Sequence, residues 1–123
     1  MQDKPIKVVI GNRLGKGQRV AKGIEEAGGI AIVIPGMAAD MKLGDVMNQE
    51  QADFGLSFCG SGGAGAVTAA TKYGYKQESG LRSVDAGITA LRRGAKVLGF
   101  GFMDTEELGS RLVNEFRRLH KED

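Results

Sequence analysis

Ser57-Phe58-Cys59-Gly60-Ser61-Gly62-Gly63-Ala64-Gly65-Ala66 is the stretch that decides the fold. It follows an apolar run, Phe54-Gly55-Leu56, and precedes a helix-like run, Ala66-Val67-Thr68-Ala69-Ala70-Thr71-Lys72. A strand that ends in a glycine-rich turn and opens a helix brings backbone N–H groups together, and the helix N-terminus adds about half a positive charge. The only cysteine of the chain, Cys59, stands at the mouth of this turn, and helix N-termini favour the thiolate form of a cysteine. The centre of the sequence therefore reads as a small-anion site. Gly60, Gly62, Gly63 and Gly65 supply the backbone donors, and Cys59 is the candidate acid/base or nucleophile.

Working outward, strands and helices alternate. Residues 6–10 read as a buried strand. Gly15-Lys16-Gly17-Gln18 opens a helix with Val20, Ile24 and Ala27 at helical spacing, which stops at Gly28-Gly29. Residues 30–34 form a second β-rich run closed by Pro35-Gly36. Asp40 is placed as the N-cap of a short helix with Leu43, Val46 and Met47 on one face. Residues 53–58 are the third strand and 63–73 the helix after the glycine turn. Gly80-Leu81-Arg82-Ser83-Val84 is expected as a fourth strand, 85–93 as a helix with Ile88 and Leu91 inward, and 96–100 as the fifth strand. Asp104-Thr105-Glu106-Glu107 resembles a capping box with Asp as the cap. It opens a last helix carrying Leu108, Leu112, Val113 and Phe116, followed by a charged tail. Continuous apolar strands separated by helices imply an α/β fold with a parallel sheet covered on both faces. Ligands in such sheets bind beyond the carboxyl ends of the strands.

Composition narrows the function classes. A chain of 123 residues is one domain, and 41% hydrophobic residues suffice for a core. Its 20 glycines far exceed the usual share of roughly 7% and fall, without periodicity, between the apolar runs. A net charge of +2 does not argue for nucleic acid, and no tryptophan or aromatic-basic interleaving offers a stacking platform. One cysteine excludes an internal disulfide and fits a reducing compartment. Lys4-Pro5-Ile6-Lys7-Val8-Val9-Ile10 is too short for a signal peptide, and the apolar runs fall far below the roughly 20 residues that span a bilayer. The expectation is a cytoplasmic protein without a membrane span, a cofactor or a nucleic-acid partner.

Each motif has a plain alternative. Gly60-Ser61-Gly62-Gly63-Ala64-Gly65 satisfies G-x-G-x-x-G, and Asp85 lies 20 residues after Gly65. A dinucleotide site, however, uses the first βα unit of a larger fold, and this is the third unit of a short chain. An anion or sugar-phosphate site and glycines placed only for close packing both remain. Gly11-Asn12-Arg13-Leu14-Gly15-Lys16-Gly17 fails as a P-loop, because three residues separate Gly11 from Gly15-Lys16 and no Ser or Thr follows the lysine. It still puts Arg13 and Lys16 beside a helix start, either as phosphate contacts or as solvated charges. Cys59 is either a small buried hydrophobe or a functional thiol. With one cysteine and one histidine, His120 in the tail, neither a structural metal site nor a catalytic triad can be assembled. His120 reads as a surface residue, and Met37, Met41 and Met47 as packing around a loop.

Cys59-Gly60-Ser61-Gly62, then Ala69-Ala70-Thr71-Lys72, then Gly80-Leu81-Arg82 resemble the type B ribose-5-phosphate and galactose-6-phosphate isomerase superfamily. That superfamily shows Cys-Gly-Thr/Ser-Gly, Ala-Ala-Asn-Lys and Gly-Ile-Arg. Over essentially the whole chain the sequence looks closer still to the glycine-rich SFCGS proteins, a family of small bacterial proteins whose signature Ser57 to Ser61 spell in full. The isomerase resemblance implies a three-layer α/β/α sandwich, a five-stranded parallel sheet in the order 2-1-3-5-4, and a homodimer or higher homo-oligomer with sites near the interface. It implies Cys59 as the base that moves a proton between adjacent sugar carbons and Ser61 as a substrate contact. Asn12, Arg13 and Arg82 join the glycines as the ligand- and phosphate-binding set.

The chain also departs from those isomerases. They begin Gly-Ser-Asp-His-Ala-Gly, where this chain has Gly11-Asn12-Arg13-Leu14-Gly15, and they carry a histidine before the last strand, where Val84-Asp85-Ala86-Gly87-Ile88 has none. The segment between Lys72 and Gly80 and the glycine loop are longer. Asp85 and Asp40, both expected at strand ends, are the candidates for a second acid/base. The resulting expectation is a protein that binds a small phosphorylated sugar or related anion, with isomerase-like use of Cys59. The alternative is a non-catalytic binding or accessory subunit of a bacterial carbohydrate uptake or catabolic system.

Overall fold

A computed structural model describes residues 5–121, so Lys4 and the last two residues of the charged tail lie outside the described residues. The elements in chain order are β1 (Lys7–Asn12), α1 (Gln18–Glu26), β2 (Ile30–Val33), a 3-10 turn (Ala39–Lys42), α2 (Leu43–Glu50), β3 (Phe54–Phe58), α3 (Ala64–Tyr73), β4 (Gln77–Leu81), α4 (Val84–Arg92), β5 (Val97–Phe100) and α5 (Glu106–Leu119). The five strands form one sheet in the order β2-β1-β3-β5-β4. Every neighbouring pair is parallel, as the alternation of apolar strands and amphipathic helices predicts.

Side chains alternate across a strand, and here that alternation separates large residues from small ones. Val8, Ile10, Phe54, Leu56, Phe58, Leu98 and Phe100 face one way and pack with Val20 and Ile24 of α1, Ile88 and Leu91 of α4, and Leu108, Leu112 and Val113 of α5. The other face carries Val9 and Val97 against Leu43 and Met47 of α2 and Ala66 and Ala69 of α3. Toward the strand ends this second face carries only glycine and serine. Gly11 pairs in register with Ser57, and Ser57 with Gly99. This row of small residues crosses the three central strands and lets the chain after β3 lie directly on the sheet.

Three boundaries differ from the sequence reading. The fourth strand is Gln77–Leu81 rather than 80–84, and Val84 already begins α4. This edge strand is polar and irregular, with a register shift between Glu78 and Leu81, so it lacks the apolar run that marks a buried strand. Asp40 does not cap a helix: it lies inside the 3-10 turn, whose N-cap is Ala38 in a left-handed conformation. The last helix is capped by Thr105, whose hydroxyl accepts from Leu108 N–H at 3.2 Å. Asp104 instead accepts from Val20 N–H at 2.9 Å and ties the start of α1 to the β5–α5 loop.

Candidate functional site

The strand order reverses direction between β1 and β3, and the crevice beyond their carboxyl ends is the ligand position of open α/β sheets. Asn12, Arg13, Cys59 and the glycine loop all gather there. Arg13 N–H donates to Phe58 O at 2.8 Å, which fixes the β1 loop beside the residue preceding the thiol. Asn12 is buried, and its amide oxygen accepts from Leu14 N–H at 2.8 Å. It therefore shapes the loop with its side chain.

Two backbone donors of the glycine loop point at the chain's own sulfur. Cys59 Sγ accepts from Gly63 N–H at 3.2 Å and from Ala64 N–H at 3.3 Å, and Ser61 Oγ lies 3.1 Å away. Burial pushes the thiol up. The Ser61 hydroxyl and the N–H groups of Ala64 and Gly63 outweigh it and bring Cys59 down to about 7. A helix start built this way holds a thiolate at near-neutral pH. Cys59 is only 1% exposed, whereas Gly60 and Ser61, immediately above it, are exposed.

Close packing holds the loop in place. Gly63 has φ +132°, and a Cβ on it would stand 2.6 Å from Gly99 Cα and 2.9 Å from Ser79 Cβ. Gly80 N–H donates to Gly62 O at 2.6 Å, which joins the loop to β4. Gly65 opens onto Ser57 Oγ and the backbone of Asp40, and any side chain there would overlap the Asp40 carbonyl oxygen. Gly60 alone is roomy, with the exposed Phe102 ring as its neighbour.

The remaining sequence candidates divide. Arg13 is half exposed, with Nη1 3.6 Å from Asp40 Oδ2. Asp40 is wholly buried. Arg82 is exposed just after β4. Asp85 is 86% exposed and 3.3 Å from Arg111 of α5, in the helical layer opposite α3, so the structure does not bring it to the thiol. Of the three methionines read as packing, Met47 is buried, while Met37 and Met41 are exposed. His120 is exposed, its ring stacked on Phe116 with centroids 4.0 Å apart. Sequence reasoning missed Ser57 as a site residue. Its signal was its place in the signature itself, on the strand face toward α3.

Among the described residues no cluster of three or more His, Cys, Asp or Glu is placed to hold a metal ion. No helix among them is long and apolar enough to cross a membrane. The family model described as Glycine-rich SFCGS matches residues 6–119. No curated protein matches the chain. Among solved structures it is similar to the type B ribose 5-phosphate isomerase of Trypanosoma brucei, at 18% identity and a TM-score of 0.66, covering 92% of this chain and 85% of that one. It is similar also to ribose-5-phosphate isomerase B of Clostridium thermocellum, at 17% identity, a TM-score of 0.62 and coverage of 89% and 82%. For that of Giardia lamblia the values are 17%, 0.61, and 90% and 93%. At these identities the likeness is one of fold.

Proposed function

The chain belongs to the glycine-rich SFCGS family, and from that premise we propose that its 59–65 loop binds a small phosphorylated sugar or a related anion, with Cys59 as the group that moves a proton. The observation that carries this reading is the pair of N–H groups, from Gly63 and Ala64, aimed at a thiol brought to about 7 at the switch point of the sheet. A thiolate held there takes a proton from the carbon beside a carbonyl and returns it to the neighbouring carbon. That is the proton shift of an aldose–ketose interconversion, and a base poised near working pH suits it. Arg13 and the exposed edge of the loop at Gly60 and Ser61 face the anionic end of the ligand, with Arg82 as a further cation. The shared fold with structures named as ribose 5-phosphate isomerases supports this choice of ligand class.

One observation favours a second reading. The only histidine of the chain, His120, stacks on Phe116 at the end of α5, so ring opening has no imidazole at the loop. A binding or accessory subunit of a bacterial carbohydrate uptake or catabolic system would keep the anion site without the turnover. Both readings place the protein in the cytoplasm as a homo-oligomer.

The test is a thermal melt with ribose 5-phosphate, together with an assay of its interconversion with ribulose 5-phosphate by the wild type and Cys59→Ser. Ligand at 100 times its dissociation constant stabilises by about 2.7 kcal/mol. Stabilisation with Cys59-dependent turnover supports the isomerase-like reading. Stabilisation without turnover supports the binding subunit, and neither effect overturns both.

A further inference from the structure

Among the described residues, four buried side-chain oxygens have no hydrogen-bond partner, and three of them belong to two residues that both border Gly65: the two carboxylate oxygens of Asp40 and the hydroxyl of Ser57. Both residues are wholly buried. The nearest cation to the carboxylate, Arg13 Nη1, stands 3.6 Å from Oδ2, beyond hydrogen-bond reach. Elsewhere the fold satisfies such groups. Asn12 Oδ1 takes the Leu14 N–H, and Glu115 is held by two arginines. Leaving a buried carboxylate and a hydroxyl unpaired is costly, and native structures rarely do so.

The orphaned residues border the thiol loop. Gly65 lies against the Asp40 carbonyl oxygen, and a Cβ on it would come within 2.8 Å of Ser57 Oγ. The residue before it, Ala64, donates to Cys59 Sγ. Arg13, beside the Asp40 carboxylate, donates its backbone N–H to Phe58, next to Cys59.

We propose that Asp40, supported by Ser57, is a ligand-anchoring residue that accepts a hydroxyl of the bound molecule, so that the site selects polyhydroxylated anions over bare ones. An ionised carboxylate is an acceptor only. It takes an O–H donor and repels a phosphate. Arg13 and the exposed loop edge, within the same crevice, take the charge that Asp40 refuses. A ligand satisfying both carries its anionic group and its hydroxyls on different atoms, as a phosphorylated polyol does. The inference rests on the reading of the 59–65 loop as a sugar-phosphate site and adds the residue that reads the sugar.

The test compares the affinities of ribose 5-phosphate and methyl phosphate, which carries the charge without the hydroxyls, for the wild type, Asp40→Asn and Ser57→Ala, each checked for folding by its thermal melt. The wild type is expected to prefer ribose 5-phosphate by at least about tenfold. Asp40→Asn should remove most of that preference without weakening methyl phosphate, and Ser57→Ala should reduce it a few-fold. A folded Asp40→Asn that binds ribose 5-phosphate unchanged would show that water alone serves the carboxylate, and would sink the inference while the sugar-phosphate reading stands. Equal wild-type affinities for the two probes would do the same. Should Asp40→Asn fail to fold, Ser57→Ala decides, an unchanged preference counting against the proposal. A wild type that binds neither probe removes the underlying reading and the inference together.

Discussion

Gly63 rests on Gly99: a Cβ on Gly63 would stand 2.6 Å from Gly99 Cα, and one on Gly99 would stand 2.7 Å from Gly63 Cα. Two backbones in such contact leave no layer of side chains between the thiol loop and the sheet. The Cys59 sulfur is thereby held at the start of α3, where Gly63 and Ala64 donate to it.

Gly99→Ala is therefore expected to destabilise the fold by about 1–3 kcal/mol through overpacking, lowering Tm by several degrees. Gly63→Ala should cost at least as much, because φ +132° adds backbone strain. Gly101→Ala is the control. A Cβ there meets nothing within 4 Å, and the change should stay within about 0.5 kcal/mol. Denaturant melts of the three variants check this, and equal stabilities would contradict the close contact.

Stability should rise with pH in the window opened by Cys59. The thiol is lowered from 9.0 to about 7 in the folded chain. Between those values the unfolded state binds more protons, so the folded state gains as pH rises through the window. The gain is lost as pH falls through about 7, and its size is roughly 2 kcal/mol. Urea unfolding at pH 6.5 and pH 9 should show a difference in wild type that Cys59→Ser lacks. The same slope in both proteins would refute a folded-state thiolate.

Glu115 of α5 has a window of the same sign, placed at acid pH. Hydrogen bonds from Arg118 and then Arg92 lower its carboxyl from 4.5 to about 2, with Arg92 Nε 2.8 Å away. Its contribution is present above pH 4.5 and lost as the pH falls toward 2. Glu115→Gln should flatten acid unfolding in that range and cost about 1–2 kcal/mol at pH 7, less than a fully buried pair because both arginines are half exposed. An acid-unfolding curve identical to wild type would contradict the pairing.

The sheet was legible because its central strands are apolar and its turns are marked by glycine, and the resemblance implied the observed strand order. The edge strand was misplaced because Gln77, Glu78 and Ser79 carry no apolar pattern. At the site, a cysteine at a strand–glycine–helix junction was readable from residue type and spacing alone. The fates of two aspartates were not. Asp40 and Asp85 look equivalent as strand-end acids, yet one is wholly buried and the other faces solvent beside Arg111. That difference comes from Gly11 and Gly65, which open room for Asp40, and from the layer to which α4 belongs. Neither can be read from a spacing. The use of two loop N–H groups on the sulfur was likewise invisible, because it depends on the direction in which Gly63 turns the chain.

The central claim is that Cys59 stands as a thiolate within an anion-binding loop. Its most direct test is the rate of Cys59 alkylation by iodoacetamide between pH 5.5 and 9, with and without ribose 5-phosphate. The account predicts a rate that rises with a midpoint near 7, below that of a free thiol, whose pKa is about 8.5, and protection by ribose 5-phosphate. Labelling that stays slow at every pH, ignores the ligand and accelerates only when the chain is denatured would contradict it and leave Cys59 as a residue of the core.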